Sequence, residues 1–119
     1  MNTVDTKKLA EKIDKFASDR DWDQFHSIKN LSMALNVEAS ELLEIFQWMN
    51  EDRSNNLSDD PKAFSKVEEE LADIFIYLVR IADKLEIDLE SVAHKKIAKN
   101  SEKYPVSLSK GNSKKYTDL

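Results

Sequence analysis

Between Phe64 and Leu85, large apolar residues recur at alternating steps of three and four positions. This period is typical of one face of an α-helix, and here it continues for about six turns. Further apolar residues, Phe75 and Val79, fall on another side of the same helix, so the segment is apolar over much of its circumference. We therefore predict that it forms the central helix of the fold.

The rest of the composition favours the same fold class. The 119 residues include one glycine and two prolines, and they are rich in Leu, Ala, Glu, Lys and Ile. Such a sequence disfavours strands joined by tight turns and favours long helices. We predict an all-α protein that forms a single domain over residues 1–119, and self-association would help so small a domain to bury its apolar faces.

Four helices are predicted, and they are expected to form a four-helix bundle. The first covers about residues 5–18, the second 27–50 and the fourth 89–103, while the third begins near Pro61 behind Asp60. Helices two and three are joined by a short polar connector, residues 52–60, and should pack as an antiparallel hairpin. A polar tail, about residues 105–119, follows Pro105 and is expected to be flexible.

The chain contains neither cysteine nor a long apolar run, and both absences bear on its expected cellular location. There is no cysteine, so the chain has neither a disulfide framework nor a thiolate metal site. No apolar run has the length of a signal peptide core at the N-terminus or of a membrane span. We expect a cytoplasmic protein that does not bind a membrane.

Two pairs of acids lie within the apolar helices. Glu38 and Glu41 belong to the second helix, and Glu70 and Asp73 to the third. Residues three apart lie on one side of a helix, about 4.5 Å apart along its axis, so both members of a pair can reach one ion. Hard oxygen ligands suit Mg²⁺, with Mn²⁺ as a substitute. The competing interpretation is that these acids form ordinary ion pairs at the edge of the bundle.

The charge distribution indicates which kinds of molecule the chain could bind. A net charge of -5 argues against a general nucleic-acid-binding protein. The charge is unevenly distributed, however, because residues 91–119 contain seven lysines and only two acids. This basic segment could meet phosphate groups presented at an acidic metal site. A lysine face exposed only to solvent would explain the same pattern.

Four ordered blocks of sequence carry a family resemblance. They are DWDQFHSIKNLSMAL, EASELLEIFQW, EEELADIFIYLVRIA and the C-terminal KNSEKYPVSLSKGNSKKYTDL. Together they resemble the MazG-like superfamily of all-α nucleoside triphosphate pyrophosphohydrolases, most closely its dCTP pyrophosphatase branch. The resemblance implies Mg²⁺-dependent cleavage of a (d)NTP to monophosphate and pyrophosphate, with dCTP or a modified dCTP as the leading substrate. It also implies dimers, or tetramers of dimers, with sites composed by more than one chain, and a role in cleaning the nucleotide pool.

The resemblance also implies roles for particular residues. The two metal motifs of the family match the acid pairs, so Glu38, Glu41, Glu70 and Asp73 would bind Mg²⁺. Positions associated with the base, the sugar or the triphosphate match five residues of this chain: Trp22, His26, Trp48, Lys96 and Asn100. Trp22, His26 and Trp48 would line the base pocket, and Lys96 and Asn100 would contact the triphosphate and the sugar. Tyr77 follows Asp73 by one helical turn and should lie near the base pocket, as a further residue that binds substrate.

The sequence leaves alternatives for the catalytic base, for the substrate and for the class of function. A carboxylate that is not fully used as a ligand can accept a proton from water, and we favour Glu41, with Glu44 as the alternative one turn further along. The same reaction with dATP, dUTP or a broad range of dNTPs is a second possibility. A helical regulator that binds nucleotides without hydrolysing them is a third, and a purely structural bundle is a fourth.

Overall fold

The computed structural model describes residues 3–119, and every regular element within them is helical. The chain divides into two compact units, and the boundary between them lies between Glu86 and Ile87. The first unit contains α1 (Thr6–Asp19), a 3-10 turn (Asp23–Phe25), α2 (Ile28–Phe46), α3 (Glu51–Ser54), a 3-10 turn (Leu57–Asp59) and α4 (Pro61–Lys84). The second contains α5 (Leu89–Lys103), α6 (Val106–Ser109) and a 3-10 turn (Tyr116–Asp118). The predicted all-α class is confirmed.

All four long helices begin at residues that suit the first turn. A side-chain oxygen of the preceding residue accepts a hydrogen bond from the backbone N–H three positions later in each case. This cap satisfies one of the N–H groups that the first helical turn leaves without a partner. In α4 the cap is followed by proline at the first helical position, where its missing N–H costs nothing. The capping residues are Asp5, Ser27, Asp60 and Asp88.

The second predicted helix is shorter than expected. Helix α2 ends at Phe46, whereas the sequence pattern continued to Asn50. Asn50 has an extended backbone, and its side chain accepts a hydrogen bond from the N–H of Arg53, so it begins the separate helix α3. Because asparagine caps a helix better than it continues one, the chain changes direction there.

The predicted polar tail also contains regular structure. Helix α6 and the last 3-10 turn both lie beyond Pro105. The Tyr116 ring packs edge to face on Tyr104, with their centres 6.0 Å apart. Lys103 Nζ lies 4.8 Å from the centre of the Tyr116 ring, a cation–π contact. These contacts return the tail to the end of α5 within the second unit.

The hairpin of α2 and α4 is antiparallel, as predicted. Helix α4 packs mainly on α2 and also contacts α1. His26, just before α2, accepts a hydrogen bond from Arg80 near the end of α4. Glu38, half-way along α2, lies beside Glu70, in the middle of α4. The two helices therefore run in opposite directions.

Burial along α4 follows the predicted seam only in part. The apolar residues of α4 that are fully buried are Ala63, Val79 and Ala82. The large residues at every seventh position of the seam are instead 39–52% exposed; they are Phe64, Leu71, Leu78 and Leu85. These four larger seam residues form an apolar stripe that remains partly exposed.

Candidate functional site

Three of the predicted metal ligands lie together where α2 and α4 face each other. Glu38, Glu41 and Glu70 each present a carboxylate oxygen within 4.8 Å of the others. The three-residue step along α2 brings Glu38 and Glu41 to the same side, and the antiparallel hairpin aligns Glu70 with them. We call these three residues the carboxylate cluster.

The carboxylate cluster lacks compensating partners. Within residues 3–119, Glu38 Oε2 and Glu70 Oε2 are buried without a hydrogen-bond partner, although both side chains are half-buried overall. Protonation allows Glu38 to form a hydrogen bond with Glu70, and this interaction, burial and the nearby Glu41 carboxylate raise the pKa of Glu38 from 4.5 to about 8. Close carboxylates repel each other when ionised, so one of them retains a proton unless a cation replaces it. Buried, unpaired carboxylate oxygens are the donors that Mg²⁺ or Mn²⁺ requires.

Asp73 lies next to the carboxylate cluster but is not a member of it. Asp73 is exposed, one turn beyond Glu70 on α4. Its negative charge contributes to the raised pKa of both Glu38 and Tyr77, which shows that it lies within electrostatic reach of these side chains. The structure therefore gathers three of the four predicted ligands within 4.8 Å and leaves the fourth at their border.

A cavity of about 370 Å³ begins beside Asp73. Burial and the charges of Glu38 and Asp73 raise the pKa of Tyr77, so its phenol keeps its hydrogen at neutral pH. The lining is otherwise largely apolar and comes from α1, α4 and the segment between α1 and α2. Its residues include Ile13, Phe16, Trp22, Asp73, Ile76 and Tyr77. A volume of this order is at the lower end of small-molecule sites.

Aromatic rings form one wall of the cavity. Trp22 packs edge to face on Phe16, with ring centres 5.6 Å apart, and on His26 at 6.5 Å. Phe16 in turn carries the Arg20 guanidinium 3.7 Å from its ring centre. Trp22 remains 43% exposed, so part of its indole is free to contact a ligand. Trp22 and His26, which the family resemblance assigns to the base pocket, both line this cavity.

Arg80 forms a network at the cavity that the sequence interpretation missed. Its side chain is 3% exposed and donates to Asp14 at 2.8 Å, to Asp23 at 2.9 Å and to His26 Nδ1 at 3.3 Å. Lys84 also donates to Asp23, at 2.9 Å. We call these five residues the Arg80 network. The signal in the sequence was a single cation within the apolar run LADIFIYLVRIA, because a buried arginine requires partners.

Two pKa values in the Arg80 network are displaced. The hydrogen bond and charge of Lys84, together with the charge of Arg80, hold the pKa of Asp23 below its usual value. Burial and the two cations lower the pKa of His26, against the opposing effect of Asp23. At neutral pH, His26 is therefore an uncharged side chain that lines the cavity together with Arg80.

The other predicted site residues do not line this cavity. Trp48 is 89% exposed, just beyond the end of α2, so its indole does not stack on Trp22 within this chain. Glu44 is exposed on α2 and lies outside the carboxylate cluster. Lys96 and Asn100 belong to α5 in the second unit, where the backbone carbonyl of Asn100 accepts from the N–H of Tyr104. Their predicted roles stay predictions.

None of the helices within residues 3–119 combines the length and the apolar character needed to cross a bilayer.

Comparisons with known proteins point to one family. The MazG-like family profile matches residues 33–119. The dCTP pyrophosphatase 1 proteins of Mus musculus and Homo sapiens are 43% and 39% identical over 105 residues, which cover 88% of this chain. The chain spans 62% of the length of these curated relatives. A pyrophosphatase from Archaeoglobus fulgidus DSM 4304, known from a crystal structure, is 34% identical with a TM-score of 0.77; the match covers 88% of this chain and 96% of that one.

Proposed function

The chain belongs to the MazG-like family, and from this we propose that it is a nucleoside triphosphate pyrophosphohydrolase. It hydrolyses the anhydride bond between the α and β phosphates and releases a monophosphate and pyrophosphate. The observation that carries the proposal is the carboxylate cluster, with its unpaired buried oxygens, beside a cavity of about 370 Å³. An acidic site can accept a triphosphate only through cations, so the two features together fit a metal–nucleotide complex.

The two ends of the site suit the two ends of a nucleotide. At the cavity, the positive charge of Arg80 is paired with Asp14 and Asp23, and the lining also contains Lys12 and Asp73, so neither sign of charge dominates. Aromatic and aliphatic side chains there suit a base. The triphosphate would extend past Asp73 towards the carboxylate cluster. Tyr77 lies between the two ends and would donate a hydrogen bond through its protonated phenol.

The proposed chemistry uses the carboxylates in two ways. Glu38, Glu41, Glu70 and Asp73 would hold Mg²⁺, with Mn²⁺ as a substitute; the bound metal would neutralise the phosphates and the leaving pyrophosphate. Glu41, or alternatively Glu44, would accept a proton from the attacking water. The water oxygen forms a bond to one of the two phosphorus atoms, and the bond from that phosphorus to the bridging oxygen breaks. The electron pair of the broken bond stays on the bridging oxygen, which leaves with pyrophosphate after attack at the α phosphorus or with the monophosphate after attack at the β phosphorus.

The leading substrate is dCTP or a modified dCTP. Two relatives are named dCTP pyrophosphatase 1, and the family resemblance assigns Trp22 and His26 to the base pocket. Lys96 and Asn100 would contact the triphosphate and the sugar. With such a substrate the protein would remove unwanted nucleotides from the cytoplasmic pool.

Self-association completes the proposal. Phe64, Leu71, Leu78 and Leu85 recur every seven residues on one face of α4, and each is at least 39% exposed. A stripe with this spacing is suited to packing against another helix. We infer that the whole chain acts as one four-helix domain and forms a dimer, or a tetramer of dimers. Trp48 would then contribute to the site of a neighbouring chain, which would explain an indole that is 89% exposed.

Self-association can be tested by light scattering after gel filtration. Leu71→Lys, in the middle of the stripe, should convert the assembly to monomers because a charge replaces apolar contact area. Lys66→Glu, which changes an exposed charge on the same helix, should leave the mass unchanged. A wild-type mass equal to that of one chain would contradict the association, although hydrolysis by isolated chains could still be measured.

The reaction can be tested by product analysis on a panel of canonical and modified NTPs and dNTPs with Mg²⁺. Wild-type protein should release monophosphate and pyrophosphate, fastest from dCTP or a modified dCTP. Glu41→Gln and Asp73→Asn should each lower the rate by at least about 100-fold, because even residues that only support metal ligands contribute 10- to 100-fold. Glu68→Gln is the matched control, because Glu68 is exposed and lies outside the carboxylate cluster.

The alternative outcomes separate the remaining hypotheses. Faster turnover of dATP or dUTP would retain the reaction and replace the substrate. Tight nucleotide binding without turnover would favour a regulator. Release of a diphosphate and inorganic phosphate would contradict the proposed bond cleavage, and neither binding nor turnover would leave only the structural bundle.

A further inference from the structure

Arg80 connects three separate parts of the first unit. Its guanidinium donates to Asp14 on α1, to Asp23 in the 3-10 turn and to His26 directly before α2. The donor to His26 is Nε, and the acceptor is the ring nitrogen Nδ1, 3.3 Å away. Arginine cannot accept a hydrogen bond and does not lose its proton in proteins. The direction of this hydrogen bond is therefore certain from the chemistry of the donor.

This contact determines where His26 carries its hydrogen. A nitrogen that accepts a hydrogen bond has no hydrogen of its own, so Nδ1 is unprotonated. The single ring hydrogen of neutral histidine must then lie on Nε2. Among residues 3–119 there is no hydrogen-bond partner for Nε2, although His26 lines the cavity. An uncharged N–H donor is thus left without a partner on a ring that lines the cavity.

Two ion pairs hold the Arg80 guanidinium in place beside His26. Two carboxylates hold the two ends of the guanidinium at 2.8 and 2.9 Å, and the side chain is 3% exposed. A planar group bound at both ends cannot rotate away from His26 without breaking a charged hydrogen bond. Lys84 touches Asp23 but has no bond to His26 and does not line the cavity.

We propose that Arg80 is a positioning residue that fixes His26 as the Nε2–H tautomer, and that this donor selects bases offering a hydrogen-bond acceptor at that point. This deepens the proposed function and rests on it. A pyrimidine ring nitrogen or carbonyl oxygen is such an acceptor, whereas a base with only an N–H at that position would leave two donors facing each other. Leaving a donor unpaired on binding lowers affinity, so the contact contributes to base selectivity.

The first test measures the tautomer itself, by long-range ¹H–¹⁵N NMR of the histidine rings. The chain has two histidines, so comparison with His94→Gln identifies the His26 signals. Near neutral pH, wild-type His26 should show a protonated Nε2 and an unprotonated Nδ1. Arg80→Met should show a mixture of tautomers, and Lys84→Met, the matched control, should resemble wild type. A hydrogen on Nδ1 in the wild-type protein would overturn the proposal.

The second test separates positioning from a purely structural role by steady-state kinetics on the nucleotide panel. Arg80→Met should raise KM for the preferred base about five- to tenfold with little change in kcat, the scale of one hydrogen bond. Glutamine has no tautomers, so in a His26→Gln background the same Arg80 substitution should leave KM unchanged. An equal KM increase in both backgrounds would overturn the proposal. Arg80→Gln, whose amide can either donate to or accept from Nδ1, replaces Arg80→Met if the latter does not fold.

The two tests fail in distinguishable ways. If wild-type protein hydrolyses no nucleotide, the proposed function is wrong, and the NMR measurement still decides whether Arg80 fixes the tautomer. If wild type hydrolyses nucleotides but Arg80→Met matches Lys84→Met in KM and in base preference, the function stands and the positioning role is wrong.

Discussion

The carboxylate cluster and the Arg80 network are two groups of charged residues in the same unit, but their charges are balanced differently. In the carboxylate cluster, three acids lie within 4.8 Å with two oxygens buried and unpaired. In the Arg80 network, Arg80 and Lys84 face Asp14 and Asp23, and each ion has a partner at 2.8–2.9 Å. The difference suits the first group to binding a cation, whereas the charges of the second group are paired within the protein.

The strongest test of this difference is metal binding. Mg²⁺ or Mn²⁺ should stabilise the wild-type protein against unfolding by about 2.7 kcal/mol at 100 times the dissociation constant, because the cation binds the folded form alone. Thermal unfolding monitored by circular dichroism at several metal concentrations measures the effect. Glu70→Gln should abolish most of it, while Asp14→Asn, in the Arg80 network, should retain it. Equal stabilisation of all three proteins would mean that the metal binds elsewhere.

A smaller effect is expected from removing one partner of Arg80. Asp14→Ala should lower the free energy of unfolding by about 1–3 kcal/mol, because a buried guanidinium loses a charged hydrogen bond. Asp19→Ala is the control on the same helix: Asp19 pairs with Lys15 at 2.8 Å, but both side chains are more than half exposed. Such pairs contribute under about 1 kcal/mol. Urea unfolding compares the two variants, and equal losses would show that the burial of Arg80 adds nothing.

A further expected effect is the pH dependence of the metal-free protein. Since the pKa of Glu38 is about 8 when folded and 4.5 ordinarily, the folded form binds the extra proton between these values. Stability from this group is complete below about pH 4.5 and is lost as the pH rises towards 8. Urea unfolding in chelator at about pH 5 and about pH 8.5 should therefore give a decrease that Glu38→Gln reduces. A steeper pH dependence in Glu38→Gln would contradict this account of the group.

Much of the fold followed from local patterns. The caps Asp5, Ser27, Asp60 and Asp88 lie where the predicted helices begin, since capping depends only on residues within one turn. The predicted end of α2 was wrong by four residues, because Asn50 begins a new turn there. Helix ends are harder to predict than helix cores, since apolar periodicity continues past the point where the backbone turns.

The site was predictable only in part. The spacing of the acids identified the carboxylate cluster because two of its members lie one turn apart on α2. The partners of Arg80 lie 54, 57 and 66 positions away along the chain, and no local pattern links them. Likewise, the stripe of Phe64, Leu71, Leu78 and Leu85 has the spacing of a core seam, but the structure leaves these residues partly exposed.

The sequence by itself determined the four long helices, where they begin and which acids share one side of a helix. These properties depend on interactions within a few residues, and the helical repeat relates them directly to position in the chain. Only the tertiary structure decided that Glu70 joins Glu38 and Glu41 while Asp73 lies beside them, and that Arg80 and His26 meet at the cavity. Those contacts depend on the register and separation of packed helices, which many sequences with the same local pattern could satisfy in other ways.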